Sequence, residues 1–235
     1  MKKSFFAITL AVTFVFIAAV GLCVRTLFGE QAVGAFDEGG MRIVVDAGHG
    51  GMDGGVVGRK TGVKESDLNL AISYRLCDAL TDMGFEVTMT RKTEAGLYDT
   101  ATRGFKKRDM QKRKELIIAA DPALVISVHQ NFYPAKSSRG AQVFYAKNNE
   151  KGRLFAGAIQ TQLNTMYEVK GVKGREIKAG EFFILECVDR PSVIVECGFL
   201  SNPSDEELLQ SENWQEKLAG SIAAGVVAYL AGNAA

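Results

Sequence analysis

Three apolar runs in this chain each end in a residue able to do chemistry: IVVDAGH ends in His49, LVISVH in His129 and VIVE in Glu196. The chain holds two histidines, so chemistry that needs imidazole must use one or both of these. Two imidazoles gathered at one place could bind a metal. Zn²⁺ prefers nitrogen or sulfur donors with a carboxylate, and a catalytic zinc keeps one position open for water. A third ligand is then required. Glu65 suits that role, because it follows the glycine loop that starts at His49 and opens a helical stretch, where a carboxylate meets the positive end of the helix dipole. Glycines at 50, 51, 54, 55, 58 and 62 allow the loop to fold tightly around an ion. Asp46, Asp53 and Asp67 are alternative ligands, although turn-forming or capping roles account for them more simply. No compact zinc signature of the His-Glu-x-x-His kind is present.

These groups can act together only if the fold delivers them to one place. Arg42 to Ala47 is a short apolar, β-branched run stopped by glycines, which predicts a buried strand. From Glu65 to Met83, apolar residues recur at Leu68, Ile72, Leu76, Leu80 and Met83, the spacing of one helical face. Further strands are expected at 85–90, 124–128, 142–145, 182–187 and 193–196. Helices are expected at about 102–120 and 150–167, with one or two closing helices over 204–231. Strands alternating with helices predict a single α/β domain with a mostly parallel or mixed twisted sheet and helices on both faces. In such sheets functional sites gather beyond the carboxyl ends of the strands, which is where His49, His129 and Glu196 fall.

Length and charge narrow the class further. A chain of 235 residues suits one sizeable domain. Its 28 basic and 27 acidic groups give no net basic face for nucleic acid. Lys2 and Lys3 precede an uncharged run from Phe5 to Val24, which Arg25 closes. Such a run is long enough to span a bilayer, and the positive-inside rule leaves the N-terminus cytoplasmic and exports the rest. Residues 1–25 therefore read as an N-terminal membrane helix or signal segment, 26–40 as a linker and 41–235 as the working domain. An uncleaved anchor is favoured over a removed signal, since the best small-residue site, Val33-Gly34-Ala35, lies far from the apolar run. Cys23 reads as an apolar membrane residue, and Cys77, Cys187 and Cys197 as free thiols.

Five ordered stretches resemble a known family. VVDAGHGGMDGGVVG, KESDLNLAISYRL, EVTMTR, ISVHQN and PSVIVECGFLSNPSDEELL are similar to the motifs of zinc-dependent N-acetylmuramoyl-L-alanine amidases of the amidase-3 type. The resemblance covers about 42–230. The hydrophobic N-terminus, the basic stretch before Ile117 and SSRGAQVFY resemble the spore germination-specific cortex amidases. It implies one Zn²⁺ held by His49, Glu65 and His129, with Glu196 as the catalytic base. The implied substrate is peptidoglycan, cut at the amide between N-acetylmuramic acid and L-alanine on the outer face of the membrane or in the wall or cortex space. An activating protein partner is a further implication. Asn131 is expected to orient His129 or contact substrate, or to serve only a turn. Three positions depart from the family pattern: Ala47, Gln130 and Cys197, of which Gln130 adjoins a ligand.

Competing readings remain for several features. Glu196 could be a buried carboxylate paired with Arg91. Cys197 and His129 could form a cysteine hydrolase, although in a regular strand residues 196 and 197 point to opposite faces. A catalytically silent wall-binding module would be marked by loss of one of the four site residues. The run TRGFKKRDMQKRKE, with Arg103, Lys106, Lys107, Arg108, Lys112, Arg113 and Lys114, reads as a solvated basic helix face that could engage anionic polymer or a protein.

Overall fold

The computed structural model describes residues 40–233, so the expected membrane segment at 5–24 lies outside the described residues. Among those described, no helix is long and apolar enough to cross a membrane. The chain runs through β1 (Arg42–Ala47), α1 (Glu65–Asp82), β2 (Glu86–Met89), α2 (Phe105–Ala120), β3 (Leu124–Asn131) and β4 (Gln142–Ala146). It continues through α3 (Glu150–Glu168), β5 (Lys178–Gly180), a 3₁₀ turn (Phe183–Glu186), β6 (Ser192–Phe199), α4 (Pro203–Leu209) and α5 (Glu212–Asn233).

The strands form one six-stranded sheet in the order β2-β1-β3-β6-β4-β5. β1 pairs in parallel with β2 and β3, and β3 with β6, while β4 runs antiparallel to β6. The sheet is therefore mixed, as its pattern of elements implies. Both faces are covered, and this explains why the central strands read as continuous apolar runs. Ile43, Val45, Ile126, Val128, Val193 and Val195 pack into a large core with residues of α1, α3 and α5. Val44, Val125 and Ile194, on the opposite face, join a smaller core with Ile117 of α2 and with Ile184 and Leu185 of the 3₁₀ turn.

One expected strand is absent. Residues 183–186 form a 3₁₀ turn rather than part of a strand over 182–187, and the three-residue β5 occupies the sheet edge instead. Ile184 and Leu185 are buried side by side while Phe182 and Phe183 are exposed. A tight helical turn accommodates that pattern, whereas a strand would alternate, and a short apolar run does not distinguish the two.

Candidate active site

Parallel register brings the strand ends together. His129 of β3 is the neighbour of Glu196 on β6, and Asp46 of β1 is the neighbour of Ser127 on β3. These side chains share the sheet face beneath α2, because residues of like parity along a strand point the same way. A cleft of about 320 Å³ opens there. His49, His129, Glu196, Asp46, Asp109 and Arg113 form its polar floor, and Met110, Ile194 and residues 182–184 form an apolar wall.

His49, Glu65 and His129 converge, with one donor atom from each lying within 4.8 Å of the others. Glu65 Oε1 is 2.9 Å from His129 Nδ1 and 3.3 Å from His49 Nε2. Backbone amides fix this carboxylate from both sides: Val56 N donates to Oε2 at 2.9 Å and Gln130 N to Oε1 at 3.1 Å. Burial opposes ionisation of Glu65, but hydrogen bonds and charge from His129 and His49 outweigh it and hold its carboxyl well below the usual range. Burial likewise lowers His49, yet Glu65 and Asp53 more than compensate and raise it. Two imidazoles and a carboxylate already drawn together are a donor set that suits zinc. Two of the three also have outer support of the kind such ligands need: Glu65 from the two amides and His49 from Asp53.

The loop that carries His49 is shaped as much by missing side chains as by those present. A Cβ at Gly48 would fall on the His129 ring, and one at Gly55 would strike the Glu65 carboxylate and His49. His49 itself sits at φ 60°, a left-handed conformation that a non-glycine residue keeps only when its surroundings enforce it. Arg113 supplies that enforcement. Only 1% of its side chain is exposed. It donates to Asp46 Oδ1 at 2.5 Å, Asp109 Oδ2 at 2.6 Å, Ala47 O at 2.7 Å and His49 O at 2.5 Å. Asp46 also accepts from Thr90 and Ser127. Although burial works against its ionisation, Arg113 and the two hydroxyls bring its pKa down to about 2. The expectation of a wholly solvated basic helix is therefore corrected at Arg113, which has buried carboxylates to neutralise.

Glu196 lies in the same cleft, beside His129, yet outside the converging group. Its Oε2 is buried and has no hydrogen-bond partner among the described residues. Burial, followed by the nearby Glu65 charge, pushes its carboxyl up to about 7, despite the opposing pull of the histidines. It is not paired with Arg91, whose guanidinium is spent on the carbonyls of Ala47, Gly48, Ser66 and Thr93.

Several other positions take roles distinct from the converging group. Cys197 is fully buried in the large core, on the face away from the cleft, and burial pushes its thiol far up. A cysteine nucleophile is thereby excluded at this position. Asn131 ends β3 and pairs with Phe199, its Oδ1 accepting from Phe132 N at 2.8 Å, and it is not among the residues that line the cleft. Gln130 turns its side chain to α1, where its Nε2 donates to Asn69 Oδ1 at 3.2 Å, and Asn69 Nδ2 lies 3.4 Å from Glu65 Oε1. Asn69 in turn donates to Gly48 O at 3.1 Å, so Gln130 steadies the loop from beneath. Sequence reasoning passes over Arg113 and Asp109 as parts of the site and weighs Asp53 only as an alternative ligand, not as the partner of the outward His49 nitrogen. The available signal was the spacing of Lys106, Asp109 and Arg113 at i, i+3 and i+7, which puts a carboxylate within an otherwise basic helical face.

An α/β sheet with a His-Glu-His group and a separate buried glutamate at its strand ends defines the class. Over residues 43–228 the chain matches the amidase-3 family of N-acetylmuramoyl-L-alanine amidases, and it belongs to that family. It is thus an N-acetylmuramoyl-L-alanine amidase whose substrate is peptidoglycan. Among individual relatives, it is 36% identical over 193 residues to the germination-specific N-acetylmuramoyl-L-alanine amidase of Bacillus subtilis, covering 81% of this chain and 80% of that protein. The solved CwlD amidase of Clostridioides difficile, in complex with the GerS lipoprotein, is 34% identical with a TM-score of 0.77, covering 81% and 98% of the two chains. The catalytic domain of CwlV from Bacillus (Paenibacillus) polymyxa var. colistinus is 27% identical with a TM-score of 0.69, covering 81% and 98%.

Proposed function

We propose that the chain is a zinc-dependent amidase in which His49, Glu65 and His129 hold one Zn²⁺ and Glu196 is the catalytic base. The observation that carries this reading is the division of labour in the cleft: two imidazoles and one carboxylate converge, while a second carboxylate stands beside them with an oxygen that no described residue engages. A bound Zn²⁺ would supply Lewis acidity, polarising the scissile carbonyl and acidifying water. Glu196 takes a proton from the attacking water as its oxygen adds to the lactyl carbonyl carbon. When the C–N bond breaks, Glu196 returns that proton to the departing alanine nitrogen. Burial, which raises this carboxyl in the metal-free protein, favours its holding the proton between the two transfers. Met110, Ile194 and residues 182–184 border the place of this exchange with apolar surface.

Similarity to a germination-specific enzyme and to one solved with a lipoprotein supports a role in spore cortex modification and a protein partner. In the same reading 41–235 is the catalytic domain, held outside the membrane by residues 1–25 through the linker 26–40. The decisive experiment is metal analysis together with digestion of intact peptidoglycan. One zinc per chain and peptides with newly freed N-terminal alanine are expected. Undiminished release after removal of all metal would overturn the zinc mechanism.

A further inference from the structure

The basic helix α2 is the conspicuous sequence feature that amide hydrolysis leaves unexplained. Lys106, Asp109 and Arg113 share one of its faces, and all three line the cleft. Arg113 grips the backbone carbonyl of His49, as described, and is itself held by Asp109. Lys106 reaches the same histidine by another route. Its Nζ lies 2.8 Å from Asp53 Oδ1, and Asp53 Oδ2 lies 3.0 Å from His49 Nδ1. The opposite ring nitrogen, Nε2, faces Glu65. Asp53 therefore occupies the outward side of the ring and lies outside the group whose donor atoms converge.

An imidazole that binds a metal through one nitrogen commonly donates its other N–H to a carboxylate, which fixes tautomer and ring orientation and makes the ligand more basic. Asp53 is placed to do this for His49, and Lys106 holds Asp53 in place. We infer that Asp53 is the positioning residue for His49, and that the 106–109–113 face of α2 sets metal affinity from outside the ligand set. The inference rests on the reading of His49 as a ligand. It also gives the basic run a task inside the protein.

The test measures zinc affinity of the purified full-length chain by competition with a chromogenic chelator, with far-UV circular dichroism to verify the fold. Asp53→Ala is expected to weaken zinc binding by about 10- to 100-fold, as outer-shell losses do. Asp53→Asn keeps an oxygen that accepts from Nδ1–H and recovers most of that loss. Lys106→Met weakens binding by no more than about fivefold, the worth of an exposed ion pair. Asp53→Leu repeats the test should the alanine variant unfold. Wild-type affinity in folded Asp53→Ala or Asp53→Leu overturns the inference. So does an Asp53→Asn protein as weak as Asp53→Ala, which makes Asp53 a ligand. His49→Ala, run alongside, separates the two levels: if it keeps wild-type zinc affinity, the ligand reading itself fails, whereas a zinc-free His49→Ala beside an unaffected Asp53→Ala refutes only the positioning role.

Discussion

Glu196→Gln keeps the volume of the side chain and one acceptor oxygen while deleting the group that accepts a proton. Burial pushes this carboxyl from an ordinary 4.5 up to about 7. In the metal-free protein that rise costs the ionised native state about 3 kcal/mol, at about 1.4 kcal/mol per pH unit. The native state holds the proton more tightly than the unfolded chain does. Its advantage is therefore fully present below pH 4.5 and is lost as pH rises through about 7. Glutamine carries no charge to desolvate. Chelator-treated Glu196→Gln should therefore match wild type near pH 4 and exceed it by up to about 3 kcal/mol near pH 8, read from urea unfolding at the two values. Activity should move the opposite way: release of alanine-ended peptides falls at least about a hundredfold while zinc content stays the same. Equal stability of the two proteins near pH 8 would refute the burial argument. Near-normal turnover would refute the role as base, and loss of zinc would make Glu196 the ligand and Glu65 the candidate base.

The other predictions use the same preparations. His129→Ala should lose both bound zinc and activity; stoichiometric zinc in a folded variant would remove His129 from the ligand set. Cys197→Ala should retain most activity, because the thiol lies in the core away from the cleft, and a chelator should abolish activity in both proteins; the reverse pattern would assign the chemistry to the thiol. Arg113→Met strands two carboxylates, Asp46 and Asp109, and should cost about 3–5 kcal/mol in urea unfolding. A loss below about 1 kcal/mol would show that water reaches the pair as readily as an exposed one. Sequencing of the N-terminus from membranes should find the Phe5–Val24 run still attached, and a mature end at Phe36 would identify a removed signal.

The parts of the site that can be read from sequence are those whose signal is local. His49, His129 and Glu196 announce themselves because each closes an apolar run, and parallel order carries the carboxyl halves of those strands, which extend past His129 and Glu196, to one edge. Glu65 is legible because it opens a helix directly after the glycine loop. Register is not local: that His129 stands beside Glu196 depends on how β3 and β6 align, which no run of residues states. Arg113 was misread for a similar reason, since a cation that neutralises a buried carboxylate looks, in a string, like one bathed in water. Asp53 looks like a turn residue because, although His49 is four residues away in the same loop, the Lys106 that holds it comes from a helix far along the chain. The turn at 183–186 escaped because Ile184 and Leu185 are as apolar as strand residues; only the exposure of Phe182 and Phe183 betrays it.

The two glycines against which His49, Glu65 and His129 rest have a consequence for how such enzymes could die in evolution. Gly48 leaves space that the His129 ring fills, and Gly55 leaves space for Glu65 and His49. A single added methyl at either position would displace those groups while leaving every one of them, and Glu196, spelled out in the chain. A descendant silenced in this way would pass any inspection that checks only for the reactive residues. In this loop the positions with no side chain are as diagnostic of a working enzyme as the histidines themselves.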